Sequence, residues 1–178
     1  MYNNKYAIYV ELDNKYPFHP PALVKINNKI YDHTTWLLSD NIKRRLVLEN
    51  CERNFSIEDC LKVSERVNIP VVFDTHHYDC YNIMHPNEKL DTPANYIPKI
   101  LETWKCRNIK PKFHVSEQGT GKCGHHSDYI ETIPDYLLEI PKKYDTNIDI
   151  MIEAKMKEMA IFKLYEKYPF LSCKKISN

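Results

Sequence analysis

Four apolar runs in this chain each end on a residue type that binds metals or moves protons. Residues 44–49 (RRLVLE) end in Glu49 and residues 69–74 (IPVVFD) end in Asp74. Residues 110–114 (KPKFH) end in His114, and residues 147–153 (NIDIMIE) end in Glu153. Short runs rich in Val, Ile and Phe read as strands, and helix-like segments follow three of the four. Strand–helix alternation predicts a parallel α/β sheet, because parallel neighbours need a crossover between them. Parallel barrels build their active sites where strands end and βα loops begin. Four ligand-type residues at that one position therefore predict a shared rim.

The rest of the organisation is legible from Arg45 onward. Ser56, followed by Ile57, Glu58 and Asp59, has the spacing of a capping box and opens a helix that runs to about Val67, with a turn at Asn68. A polar, aromatic-rich loop is expected over 75–91. Thr92-Pro93 starts a second helix reaching about Cys106. The third strand extends to about residue 116. All three glycines of the protein, Gly119, Gly121 and Gly124, fall in the loop behind it, which marks that loop as the most mobile segment. It is not a phosphate loop, since Lys122 is followed by cysteine and lacks the glycine that a Walker sequence requires. A short helix near 137–140 is cut by Pro134 and Pro141, and a last helix is expected over 154–167. Ahead of Lys43 the pattern is weak, with possible strands at 6–12 and 22–26, a proline-rich interruption at 17–21 and a short helix at 34–42.

Length limits how much of a barrel this can be. The chain has 178 residues, whereas a complete eight-fold barrel takes about 200 to 400. We expect one domain over 1–178, with 1–43 atypical and 44–178 forming the barrel portion. The 25 basic and 24 acidic residues leave a net charge of +1, so the chain lacks the broad positive footprint of a dedicated nucleic-acid binder. Contact with phosphate would have to be local or carried by metal ions. No stretch approaches the roughly 18 apolar residues of a membrane span, and the first residues, MYNNKYAIYVELD, carry acids where a signal peptide is apolar. The expectation is an intracellular protein with no signal peptide or transmembrane segment, whose six cysteines, none in a CxxC pair, are reduced.

Six of the eight histidines lie between residues 76 and 126. Imidazoles beside strand-end carboxylates, without cysteine, favour Mn²⁺, Zn²⁺ or Fe²⁺ over a structural zinc. Two such ions would suit phosphodiester hydrolysis. His19, His33 and His85 have no comparable partners and read as surface residues. Lys112 lies two positions before His114, so strand alternation points both side chains to one face. A lysine buried there needs an anion or a covalent modification.

At these residues the sequence resembles the UV-damage endonuclease family. The segments that carry the resemblance are RLVLEN (45–50), SIEDCLKV (56–63), IPVVFDTHHYDCYN (69–82), KPKFHVSEQ (110–118), HSDYI (126–130) and DIMIEAKMKEMAIFKL (149–164). The family implies a TIM-barrel nuclease that nicks duplex DNA immediately 5′ of ultraviolet photoproducts, using divalent ions, usually manganese. Magnesium and zinc are the alternatives. By resemblance, Glu49, Asp74, His77, His114, His126 and Glu153 are metal ligands, and His76 supports its loop. Glu49, Lys112 and Glu153 are the catalytic candidates, with Lys112 matching a lysine that can be carboxylated in relatives.

The chain departs from the family pattern at its N-terminal side. It has no counterpart of the family's N-terminal half, which supplies further strands, histidine ligands and a Gln-Tyr pair that probes the lesion. Lys25 stands near the place of a family histidine, and Cys51 replaces the acid after LEN. The expected fold is thus a partial TIM-like barrel of parallel strands, N-terminally truncated. Four or five strands cannot close an eight-stranded barrel, so a second chain or self-association would complete it. A non-catalytic remnant, one subunit of a split endonuclease and a sugar isomerase-like enzyme are the competing functions.

Overall fold

Each of the four strands expected from the sequence forms, and all of them are parallel. The structure is a computed structural model that describes residues 40–172, together with the backbone of 8–9, 24–26 and 29–31. His19, His33, Cys173 and the proline-rich stretch at 17–21 lie outside the described residues. The chain opens with strand β1 (Ile8–Tyr9) and an antiparallel pair, β2 (Val24–Ile26) and β3 (Lys29–Tyr31). A short helix α1 (Asp40–Lys43) leads into β4 (Leu46–Glu49). Then follow α2 (Ile57–Val67), β5 (Val71–Asp74), α3 (Thr75–Met84), α4 (Pro93–Trp104) and β6 (Lys112–Ser116). Two short helices, α5 (Asp135–Leu138) and α6 (Ile140–Tyr144), precede β7 (Asp149–Glu153) and α7 (Glu158–Lys167). The main sheet has the order β1-β4-β5-β6-β7, with every neighbouring pair parallel. This is a partial TIM-like α/β fold, and its sheet remains open among the described residues.

Period-two alternation divides the strands into two faces. The partners Leu48↔Val71 and Phe73↔Phe113, with Val115 beyond, form one face, and all of these side chains are buried. Helices α2 and α4 cover that face through Ile57, Leu61, Ile97 and Ile100. Ser56 caps α2 as expected: its hydroxyl accepts the Asp59 N–H at 3.2 Å, and its own N–H donates to the Asp59 carboxylate at 3.1 Å. Asn68 then ends the helix in the left-handed conformation, φ 54°.

Three segments differ from the sequence expectation. Residues 75–84 are a helix, where a loop over 75–91 was expected. Asp74 ends β5 and at once caps this helix, accepting the His77 N–H at 2.8 Å. Helix α3 buries Thr75, His76, Tyr78, Cys80 and Tyr81, so it shows no polar-out periodicity to read. The last helix begins at Glu158, four residues later than expected. The N–H groups of Lys155 and Met156 donate instead to the carbonyls of Ser127 and Asp128, at 3.0 Å each. Pro141 sits in the first turn of α6 and starts that helix, where its missing N–H is harmless.

Candidate metal centre

The register of the parallel sheet places the four strand-end residues on one face. Glu49 is opposite Val72, two residues before Asp74; Asp74 is opposite His114; and His114 is opposite Met151, two residues before Glu153. Register partners share a side, and so do residues two apart. The four side chains converge: one donor atom from each of Glu49, Asp74, His114 and Glu153 lies within 4.8 Å of all the others. His114 is central. Its Nδ1 lies 2.8 Å from Glu49 Oε1 and 2.9 Å from Glu153 Oε1.

The surroundings fix these groups. Asn50 accepts the Asp74 backbone N–H at 2.9 Å and donates its amide to the Asp74 carbonyl at 3.0 Å, tying β4 to β5 at the rim. The Ser116 hydroxyl points at both Asp74 carboxylate oxygens, 3.4 Å away. Burial pushes the Asp74 carboxyl up to about 6, although the His77 charge and N–H pull against it. Burial also opposes a charge on His114, but hydrogen bonds with Glu153 and Glu49 outweigh it and lift the imidazole to about 10. The bond from His114 holds Glu153 below the usual carboxylate range.

The two further expected ligands stand at the edge of this group. His77 Nδ1 lies 3.0 Å from the Asn50 carbonyl and 3.9 Å from Glu49 Oε1. His126 Nε2 lies 3.7 Å from Glu153 Oε2, and its ring is 6.1 Å from that of His77. His126 therefore adjoins the centre through Glu153, while His77 is occupied mainly with the backbone. Lys112 is the residue the structure places elsewhere. Its ammonium pairs with Asp149, its register partner on β7, which also holds Lys110 at 3.5 Å. The anion that a lysine on this face requires is thus Asp149, which the sequence reading did not single out. It could have been found from alternation, since Asp149, Met151 and Glu153 fall on one face of β7.

The donor set suits a divalent ion. Two donors each about 2.2 Å from one ion stand at most about 4.4 Å apart, so a 4.8 Å cluster closes with a movement of a few tenths of an ångström. Three carboxylates and one imidazole without sulfur favour ions of the Mg²⁺, Mn²⁺ and Zn²⁺ kind.

Comparison with known proteins turns this geometry into a lineage. The family model described as UV-endonuclease UvdE matches residues 25–178. The chain belongs to the UvdE family. A UV DNA damage endonuclease of Bacillus cereus (strain B4264) is 38% identical over 133 residues, covering 73% of this chain and 40% of that protein. One from Bacillus velezensis is 36% identical over 134 residues, with the same coverage of 73% and 40%. Among solved structures, the crystal structure of SacUVDE matches with a TM-score of 0.56 at 30% identity, over 75% of this chain and 44% of that one. The chain therefore spans about two-fifths of the length of the UvdE relatives it matches.

Proposed function

We propose that this chain carries the metal-binding part of a DNA repair endonuclease that nicks the phosphodiester backbone 5′ of ultraviolet photoproducts. The observation that carries this reading is the convergence of Glu49, Asp74, His114 and Glu153 on one sheet face in a UvdE family member. A divalent ion held there, Mn²⁺ or Mg²⁺, supplies positive charge that polarises a phosphodiester and stabilises the leaving oxygen. Glu49 and Glu153 flank His114 Nδ1, set the position of its ring, and stand where the proton of an attacking water can be taken up. Asp74 adds a buried negative charge fixed by Asn50 and Ser116. His126 and His77 extend the donor set toward a second ion on the Glu153 and Glu49 sides. Lys112 is a positioning group, its charge held by Asp149 beneath the ligands. Carboxylation of Lys112 would replace that attraction by repulsion, so the free ammonium is the form these contacts favour.

The substrate in this reading is damaged duplex DNA inside the cell. No helix among the described residues is long and apolar enough to cross a membrane. A completing segment, in the same or a second polypeptide, belongs against β7. That strand is the last of the sheet among the described residues, and its Met151 is 43% exposed on the ligand-bearing face. The test is nicking of an irradiated plasmid with Mn²⁺, by the chain alone and with the remaining part of a relative's barrel added as a separate polypeptide. Glu49→Ala and Glu153→Ala should each abolish nicking. Unchanged nicking by either variant overturns the metal reading. No nicking by the wild-type pair leaves the non-catalytic remnant as the better account.

A further inference from the structure

The metal centre is rich in carboxylates, so a nucleic-acid strand that reaches it needs positive charge close by. Over the whole chain 25 basic residues are offset by 24 acidic ones, and that charge has to be local. Several cations on the neighbouring elements are already matched with acids. Lys110 and Lys112 share Asp149, Arg53 pairs with Glu52, and Lys163 pairs with Glu131. The turn that joins β7 to α7 is different. Its Lys155 and Lys157 are exposed, and neither has an ion-pair partner among the described residues. They follow Glu153 by two and four residues, a backbone span of at most about 14 Å.

The backbone of this turn is fixed on both sides. Lys155 and Met156 donate their N–H groups to the carbonyls of Ser127 and Asp128, the two residues after His126, and the Lys157 N–H donates to the Ala154 carbonyl at 3.1 Å. The turn is thus anchored to the segment that carries His126 as well as to the strand that carries Glu153. Lys157 also takes a costly conformation, with φ 49° and ψ −121°. The other non-glycine residues with positive φ among the described ones are Asn68, Asn108 and Asp145, of the types that tolerate it. A glycine would hold the same turn without strain, so the backbone bonding gives no reason for a lysine here. Strain of this kind persists where a side chain is wanted in one place.

We propose that Lys155 and Lys157 form a phosphate clamp that holds one strand of duplex DNA against the metal centre. This deepens the function proposed above and rests on it, since the clamp serves a strand whose phosphodiester is presented to the ions. Lysine suits the task as a compact point charge that contacts phosphate without reading sequence. The clamp therefore supplies affinity and position, and leaves the choice of a damaged site to groups outside the turn.

The test measures equilibrium binding of the full chain to fluorescent duplexes, irradiated and undamaged, by anisotropy in EDTA over a series of salt concentrations. Lys155→Ala and Lys157→Ala should each weaken binding by the same factor on both duplexes and lower the slope of log affinity against log salt by about 0.9. The double variant should lose about 1.8 of that slope. Lys142→Ala with Lys143→Ala, on α6 at the opposite end of β7, should leave it unchanged. Mn²⁺ affinity, read by calorimetry, should not fall in either lysine variant of the turn. Lys157→Gly separates a clamp from a structural lysine: it should bind DNA as weakly as Lys157→Ala, yet unfold at higher urea than the wild type because the strain is relieved. The proposal is overturned if the wild type shows no salt-dependent binding, if the slope is unchanged in the turn variants, if Mn²⁺ affinity falls with them, or if Lys157→Gly unfolds at lower urea. No readout depends on strand cleavage. Nicking by a chain whose turn variants bind normally would sink this inference alone, and a lowered slope in a chain that nicks nothing would sink the nuclease reading alone.

Discussion

Loading the centre with an ion must displace a proton from His114. Its Nδ1 faces Glu49 and Glu153 at 2.8 and 2.9 Å, and these bonds lift the imidazole to about 10. At pH 7 the proton is held by roughly three pKa units, which costs an ion using this nitrogen about 4 kcal/mol. Calorimetric titration of Mn²⁺ in buffers of different ionisation heat counts the protons released. The expected result is about one proton per ion between pH 7 and 9, with apparent affinity rising about tenfold per pH unit. Below about pH 6 the Asp74 carboxyl must ionise as well, so the dependence steepens toward two protons. Glu49→Gln sharpens the test: with one flanking carboxylate neutral, His114 gives up its proton more readily and fewer protons are released, even as affinity falls. Affinity that stays flat from pH 7 to 9, with no proton release, would refute the reasoning, because His114 would then be neutral at the start or no ligand at all.

Three further outcomes follow from the same contacts. His114 has a raised pKa in the fold, so its stabilisation of the metal-free chain is full below its ordinary 6.5 and is lost as pH rises through about 10; urea unfolding at pH 7 and pH 10.5 should show the drop. Asp74, raised from 3.8 to about 6, is ionised at a cost of roughly 3 kcal/mol at pH 7. Asp74→Asn should therefore stabilise the metal-free chain while losing the gain in stability that Mn²⁺ gives the wild type, and Asp74→Ala should fall about 1 kcal/mol short of it through loss of the α3 cap. Equal Mn²⁺ stabilisation of Asp74→Asn and wild type would remove Asp74 from the ligand set. Phe113→Ala, at a fully buried site between β5 and β7, should cost about 3–5 kcal/mol in chemical denaturation; a loss under about 1 kcal/mol would mean the core collapses around the gap.

What could be read in the sequence was local or periodic. The strands announce themselves because fully buried parallel strands are continuous apolar runs, as Val71, Val72 and Phe73 are. Helix α2 is legible at both ends because Ser56, Asp59 and Asn68 act within a few residues of one another. Helix α3 was missed since His76 and Tyr78 are polar types that are buried, and hydropathy patterning takes such residues for a loop. Asp74 followed by three potential N–H donors was the available signal, a capping aspartate at the end of a strand. The late start of α7 was not legible at all. It depends on Lys155 and Met156 bonding to residues 127 and 128, a pairing between segments that no local pattern contains. The same holds for the glycine loop, whose glycines answer to a carbonyl at His126 and to Gln118, where a sequence alone suggests mobility.

Stability and chemistry occupy opposite faces of the same four strands, and one register assigns both. Leu48, Val71, Phe73, Phe113 and Val115 point toward the helices and are buried, so the fold rests on them. Glu49, Asp74, His114 and Glu153 point the other way, joined by Lys112 and Asp149 below. A register shift of one residue between any two strands would send a ligand into the apolar layer and an apolar side chain into the centre. The buried face therefore selects the register, and the register then brings together four residues that are widely separated in sequence. It follows that neutralising a single ligand should alter ion and proton binding without unfolding the sheet, whereas truncating a buried side chain such as Phe113 should weaken the fold and the site together.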